Sequence, residues 1–285
     1  MTGRTVWLAS YPKSGNTWLR AVYSALVQGG AVDINWLHGG PQAADAEVFE
    51  RVLGVPVHLL SRSEIEMLRP RVDEVIDRQS GELRFRKIHD ALHPGPAGEL
   101  IVSVPATRAA IYMVRDPRDL AVSFAHHQKR PMTEASRLVA GEWIVGSGEQ
   151  SAPQDRPWQG LGASTLAQYR GSWSEHVVSW IDEAPFPVHT TRYEDCVDDP
   201  VAAFGAAFRA VGLTFDEGQL QAAVEAASFE KLSAQEDASP FYERVGESPF
   251  FRRGQVGDWR HELPDEQARQ IERDHAAVMG RLGYL

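Results

Sequence analysis

The feature that most constrains the fold is how the chain opens: a short apolar strand, a polar glycine-containing loop, then a helix. Thr5-Val6-Trp7-Leu8-Ala9-Ser10 is rich in β-branched and aromatic residues and reads as a buried strand. After Tyr11-Pro12-Lys13-Ser14-Gly15, the residues Trp18, Leu19, Val22, Tyr23 and Leu26 recur at helical spacing from Asn16 to Val27, and Gly29-Gly30 stops the helix. Further strands are expected at Leu83–His89, Ala109–Val114 and Pro187–Arg192. Pro117 suits a first helical position, and a helix follows through Gln128. Short helices are expected near 42–53 and 61–69, a capped one from Ser172-Trp173-Ser174-Glu175 to Trp180, and others at 199–211, 216–227 and 264–282. Strands separated by helices imply one α/β domain over residues 1–285, with a central parallel sheet flanked by helices. The stretch near 130–165 reads as a mobile lid, 233–257 as irregular, and 246–260 as a loop that closes over a ligand. In such sheets ligands bind beyond the carboxyl ends of strands, where the loops after Ser10 and Val114 lie.

A chain of 285 residues, 43% hydrophobic, buries a core without disulfides or a structural metal. Its one cysteine, Cys196, cannot pair within the chain, which suits a reducing compartment. The formal net charge of −10 makes nucleic acid or an anionic membrane surface a poor partner, so any anion must be met by local positive charge. No apolar run approaches the ~18 residues of a membrane span, and the N-terminus lacks the basic and apolar regions of a signal peptide. The expected location is cytoplasmic.

The loop Lys13-Ser14-Gly15-Asn16-Thr17-Trp18 has the make-up of a phosphate cradle. Its backbone N–H groups turn inward, the following helix adds free N–H groups and the positive end of its dipole, and Lys13 adds a full charge. Ser14, Asn16 and Thr17 add side-chain donors. The ordinary nucleoside-triphosphate spacing is absent, because Lys13 precedes Gly15 instead of following it. The same residues would also serve a plain strand–turn–helix joint with a solvated lysine. Arg115, at a strand end, and Ser123, two turns along the next helix, can reach one phosphate together, though Arg115-Asp116-Pro117-Arg118-Asp119 also reads as a surface ion-pair cluster. Arg252-Arg253-Gly254 reads as a flexible basic loop, over an anion or in solvent.

Taken together, these segments resemble the cytosolic-type sulfotransferases that use 3′-phosphoadenosine-5′-phosphosulfate, here in a form compatible with a bacterial enzyme. Tyr11-Pro12-Lys13-Ser14-Gly15-Asn16-Thr17-Trp18 resembles the family's 5′-phosphosulfate loop, and Val114-Arg115-Asp116-Pro117-Arg118-Asp119-Leu120-Ala121-Val122-Ser123 its 3′-phosphate strand–turn–helix. Arg252-Arg253-Gly254-Gln255-Val256-Gly257-Asp258-Trp259-Arg260 resembles its C-terminal signature, with Arg for Lys at 253 and 260. The resemblance implies the family's P-loop-like nucleotide-binding fold, with Lys13 at the bridging oxygen and Trp18 against the adenine. It also implies Arg115, Ser123, Arg252, Arg253 and Gly254 at the 3′-phosphate. Two weaker matches place Tyr193 near the adenine and Ala227-Ser228-Phe229 against the nucleotide.

Lys87-Ile88-His89 is similar to the family's Lys-Thr-His, which implies His89 as catalytic base with Lys87 assisting at the sulfuryl group. Strand alternation points Lys87 and His89 to the same side, and an imidazole suits proton acceptance near neutral pH. The positive charge of Lys13 and Lys87 makes a metal unnecessary. His126-His127 reads as a solvated helix end, and His93 as a candidate for the acceptor pocket. Trp36, Trp143, Trp158, Phe241, Tyr242 and Phe250 either wall that pocket or belong to the core. The expected acceptor is a small molecule with a hydroxyl group, a natural product or a phenol. A nucleotide or small-molecule kinase and a non-catalytic nucleotide-binding protein are the competing readings, and the oligomeric state, homodimer included, stays open.

Overall fold

The structure, a computed structural model, describes residues 3–39, 42–79, 81–141 and 165–285. Its elements run β1 (Thr5–Ser10), α1 (Asn16–Val27), α2 (Ala46–Leu53), α3 (Arg62–Arg78), β2 (Arg84–Ile88), β3 (Thr107–Val114), α4 (Pro117–Gln128), α5 (Met132–Val139) and α6 (Trp173–Ile181). There follow β4 (Val188–Arg192), α7 (Tyr193–Asp198), α8 (Pro200–Ala210), α9 (Glu217–Ala226), α10 (Phe229–Ala238), α11 (Trp259–Glu262) and α12 (Asp265–Arg281).

The four strands are parallel, in the order β2-β1-β3-β4. β1 is buried along its whole length, as a central strand is when helices cover both faces. Its alternation divides the core. Val6 and Leu8 pack with Leu19 of α1, Phe204 and Phe208 of α8 and Leu220 of α9. Trp7 and Ala9 pack with Phe124 of α4, Leu138 of α5, Trp180 of α6 and Ile271 of α12. The chain passes from β1 to β2 on one side, then crosses to β3 on the other. That reversal opens a crevice at the carboxyl ends of β1 and β3.

Ion pairs inside the fold fix the end of β2. Arg69 of α3 grips Asp90 with two hydrogen bonds, of 2.9 and 2.7 Å, and Arg86 of β2 pairs with Asp73 of α3. Asp90 also accepts from the Tyr169 N–H at 3.1 Å, and its own carbonyl accepts from the Trp180 indole at 2.9 Å. Burial alone would raise the Asp90 carboxyl, but the Arg69 guanidinium holds it below its ordinary value. Asp90 directly follows His89, so this clamp sets where the histidine stands.

Three expectations change. The helix expected at 61–69 continues past Pro70 to Arg78. Proline removes one N–H and disfavours a helical residue before it, yet Ile65, Val72 and Ile76 pack on one side into a smaller core with Phe49 and Leu166 and carry the helix through. Residues 233–238, expected to be irregular, belong to α10. That helix has little apolar periodicity because a buried carboxylate, Glu236, serves on its inner face, accepting from the N–H groups of Phe250 and Phe251 at 2.8 and 2.9 Å. Of the lid expected near 130–165, the first part is α5, whose Leu138 and Val139 are buried; residues 142–164, with Trp143 and Trp158, lie outside the described residues.

Arg69→Met strands the Asp90 carboxylate inside the protein. It should lower unfolding free energy by about 3–5 kcal/mol, measured by urea titration.

Candidate active site

The loop between β1 and α1 is built on two left-handed residues. Lys13 has φ 71 and Gly15 φ 100, an alternation that turns successive N–H groups toward a common point. Gly15 stands at the N-cap of α1. A Cβ there would lie 2.7 Å from the Tyr193 ring and 2.8 Å from Met113 Sδ, so no side chain fits. The Asn16 amide donates back to the Leu8 carbonyl at 2.8 Å and to Ser10 Oγ at 3.2 Å. It stitches the loop to β1, so the side-chain N–H groups are engaged within the protein.

The loop forms one wall of a cleft of about 770 Å³. Lys13, Gly15, Asn16, Thr17, Trp18, Lys87, His89, Arg115, Ser123, Tyr193, Phe229, Arg252, Arg253 and Gly254 all line it. Of the residues singled out in the sequence, Ser14 and Ser228 do not; Ser14 is fully buried and Ser228 is the N-cap of α10.

At the centre of the cleft, His89 Nδ1 lies 2.8 Å from the Ser10 carbonyl and 3.3 Å from Ser10 Oγ. A carbonyl only accepts, so Nδ1 carries the proton and Nε2 keeps its lone pair. Burial, with Lys87 nearby, holds the His89 imidazole well below its ordinary value, so it is neutral. A second histidine supports the first: His176 Nε2 donates to the His89 carbonyl at 3.2 Å, while Tyr112 donates to His176 Nδ1 at 2.8 Å. Lys87 Nζ donates to Glu243 Oε1 at 3.0 Å. Lys13 Nζ sits 4.0 Å above the Phe250 ring. Burial first, opposed by Glu243 and reinforced by Arg115 and Lys87, lowers the Lys13 ammonium to about 7.

On the other side, Arg115 ties the two loops together, donating to the Lys13 carbonyl at 3.3 Å and the Gln255 carbonyl at 2.9 Å. Its guanidinium covers the Tyr193 ring at 4.3 Å, and Tyr193 meets Trp18 edge to face at 5.9 Å. Asp119 holds the C-terminal loop by accepting from the Gly257 and Trp259 N–H groups at 2.8 and 3.0 Å. Arg252 pairs with Asp258 and Glu262 at 2.7 and 2.8 Å, and Arg253 with the same two at 3.4 and 3.3 Å. Gly254, at φ 65, lies so close to Phe229 that a Cβ would stand 2.5 Å from the ring.

Several side chains behave otherwise than the sequence suggested. His127 is not a solvated helix end: it lines the cleft, meets Phe250 edge to face, and is lowered to about 4 by burial and then by Lys13. His126 instead pairs with Glu262. His93 stacks edge to face on Tyr169 away from the cleft wall. Tyr242 and Phe250 line the cleft, Phe241 is core, and Trp36 is 79% exposed. Glu243, Gln168 and Arg170 line the cleft without any signal in the sequence, since each lies in a segment lacking periodicity. Among the described residues no group of histidine, cysteine or carboxylate side chains is arranged to hold a metal ion, and no helix is long and apolar enough to cross a membrane.

The family described as "Sulfotransferase domain" matches residues 4–283. The chain is 24% identical to flavonol 3-sulfotransferase of Flaveria bidentis, over 98% of this chain and 83% of that one. It is 22% identical to sulfotransferase 1A1 of Mus musculus, over 96% and 84%. Retinol dehydratase, solved in a complex with retinol and PAP, has a TM-score of 0.61 at 19% identity, covering 98% of this chain and 82% of that one. Mouse sulfotransferase SULT7A1 complexed with PAP gives 0.58 at 18%, covering 96% and 84%. At these identities the structural likeness is one of fold.

Gly15→Ala forces a side chain into the left-handed turn against Tyr193 and Met113. It should cost about 1–3 kcal/mol of stability, visible as a lowered thermal midpoint by circular dichroism.

Proposed function

Because the chain belongs to the sulfotransferase family, we propose that it moves a sulfuryl group from 3′-phosphoadenosine-5′-phosphosulfate (PAPS) to a hydroxyl of a small-molecule acceptor, with His89 as general base. The observation that carries this reading is the Nδ1 bond of His89 to the Ser10 carbonyl. It leaves an unprotonated Nε2 in the cleft where Lys13 and Lys87 also stand.

The donor's 5′-phosphosulfate takes the N–H groups of the Lys13–Trp18 loop, and its adenine the aromatic surfaces of Trp18, Tyr193 and Phe229. The 3′-phosphate takes Arg115, Ser123, Arg252, Arg253 and the Gly254 backbone. Both arginines of the C-terminal loop exchange their carboxylate partners for phosphate oxygens, a match of planar fork to oxyanion. PAP, the nucleotide named in the retinol dehydratase and mouse structures, is what remains of PAPS after transfer.

In the reaction, the acceptor hydroxyl gives its proton to His89 Nε2 while its oxygen attacks sulfur. The new oxygen–sulfur bond forms as the bond from sulfur to the bridging oxygen of the 5′-phosphate breaks, and the electron pair leaves with that oxygen. Lys13 and Lys87 stabilise the charge that grows there. As in phosphoryl transfer, positioning and electrostatics supply most of the rate. The acceptor is a natural product or a phenol, for which Tyr242 and Phe250 supply aromatic wall, and the single buried cysteine suits work in the cytoplasm.

PAP at about 100 times its dissociation constant should stabilise the protein by roughly 2.7 kcal/mol, seen as a thermal shift that ATP and 5′-AMP do not match; no shift with PAP would overturn the donor assignment. His89→Gln should lower kcat by about 10²–10⁴ with the PAP shift retained, and a near-normal rate would remove His89 as the base. A lysine with a lowered value loses its charge as pH rises through that value. With Lys13 at about 7 in the free enzyme, kcat/KM for PAPS should fall above pH 7, while kcat, measured on donor-saturated enzyme, declines only at higher pH.

A further inference from the structure

Glu243 is a carboxylate that lines a cleft proposed to bind anions, where it would repel the ligand. It lies between α10 and α11, and its four contacts explain its presence. Oε1 accepts from Lys87 Nζ at 3.0 Å, from Arg20 Nη1 at 2.8 Å and from the Tyr242 hydroxyl at 3.0 Å. Oε2 accepts from the Thr17 hydroxyl at 3.4 Å. The Arg20 side chain, on α1 one turn beyond Thr17, is 4% exposed, and its other nitrogen donates to the Tyr242 hydroxyl at 3.2 Å. The carboxylate is therefore anchored from behind by a guanidinium that cannot leave, and Lys87 is held from the front.

We propose that Glu243 is a positioning residue for sulfuryl transfer, holding the Lys87 ammonium on a fixed anchor and aiming it at the reacting group. The proposal rests on the reading of Lys87 as acting at the sulfuryl group. An ammonium has three N–H groups. One is fixed on Glu243, and the two left are directed by that anchor. The weak Thr17 contact is the one given up when a phosphate oxygen arrives.

The charges around Lys87 require such a partner. Arg20 on α1 and Arg170, which follows the 165–169 segment, are like charges that disfavour its ammonium, and burial disfavours it most. Lys13 in the first loop, His89 at the end of β2 and His127 at the end of α4 complete the ring, and each is also held up by Glu243. Burial works the other way on Glu243 itself, but Lys87 and then Arg20 keep it far below the ordinary carboxylate range, so it stays ionised. Glu243 is thus the anion that faces Lys87. Replacing it with a neutral isostere leaves burial and like charge unopposed, so Lys87 would lose its proton at lower pH.

The test compares wild-type enzyme with E243Q and E243D, reading kcat, KM for PAPS, PAP affinity by calorimetry and the pH profile. E243Q should lower kcat by about 10–100-fold and shift the alkaline limb of kcat, read on donor-saturated enzyme, to lower pH by about one unit. PAP should bind as well as before, or more tightly, because a negative charge has left an anion site. E243D, which keeps the charge on a shorter arm, should recover about tenfold of the lost rate and part of the limb. An E243Q enzyme with kcat within about twofold of wild type and an unmoved limb would show a merely structural residue. Loss of PAP affinity in step with kcat would place Glu243 in the donor site. Either outcome overturns the proposal. If E243Q fails to fold, E243D alone decides: an unmoved limb and unchanged kcat overturn it. A wild-type enzyme that binds PAP but transfers nothing from PAPS would instead count against the functional reading.

Discussion

Two ammonium groups withdrawn from water in one cleft set the terms for the rest of the molecule. Burial disfavours both first; Lys13 also feels Arg115 and Lys87 as like charges, and Lys87 feels Arg20 and Arg170. A fold of formal net charge −10 places carboxylates beside several of the cations there. Glu243 serves Lys87 and Arg20, while Asp258 and Glu262 hold Arg252 and Arg253. Lys13 and Arg115 lean instead on a phenyl ring and on two backbone carbonyls.

The sheet supplies the rigidity this arrangement needs. β1 and β3 end beside each other at the point where the chain reverses direction across the sheet, so the Lys13 loop and Arg115 meet without long connections. β2 delivers Lys87 and His89 to the same edge. A relay from Tyr112 through His176 to the His89 backbone, and the Arg69–Asp90 clamp one residue on, fix the imidazole from two directions. These supports come from elements far apart in the chain. The proton position on His89 is therefore a property of the fold, set by a β1 carbonyl.

What could be read from the sequence follows the strength of each local signal. β1 and α1 have the predicted bounds because apolar periodicity, a left-handed glycine and a stop signal all agree there. That one cleft gathers Lys13, Arg115, Arg252 and Arg253 was legible because the chemistry of anion binding dictates residue type and spacing over a few positions. Glu243, Arg20 and Arg170 were not, since their role lies in who faces them and the partners are up to 223 residues away in the chain. α10 was hidden for a related reason. Its inner face is secured by Glu236 bonding two backbone N–H groups, a polar solution that leaves no hydrophobic stripe. The amide N–H groups of Asn16 serve its own strand, a use that the loop's composition does not announce.

The close approach of Gly254 to Phe229 links two segments that the chain separates by a whole helix and a loop. A Cβ at 254 would stand 2.5 Å from the ring, at a φ of 65. Mutational drift at either position is therefore not independent. Trimming the ring at 229 would not by itself admit a side chain at 254, because the backbone there is left-handed, and it would remove an aromatic wall of the cleft. A steric and a conformational constraint thus fall on one residue of the basic loop, and relieving either leaves the other in force.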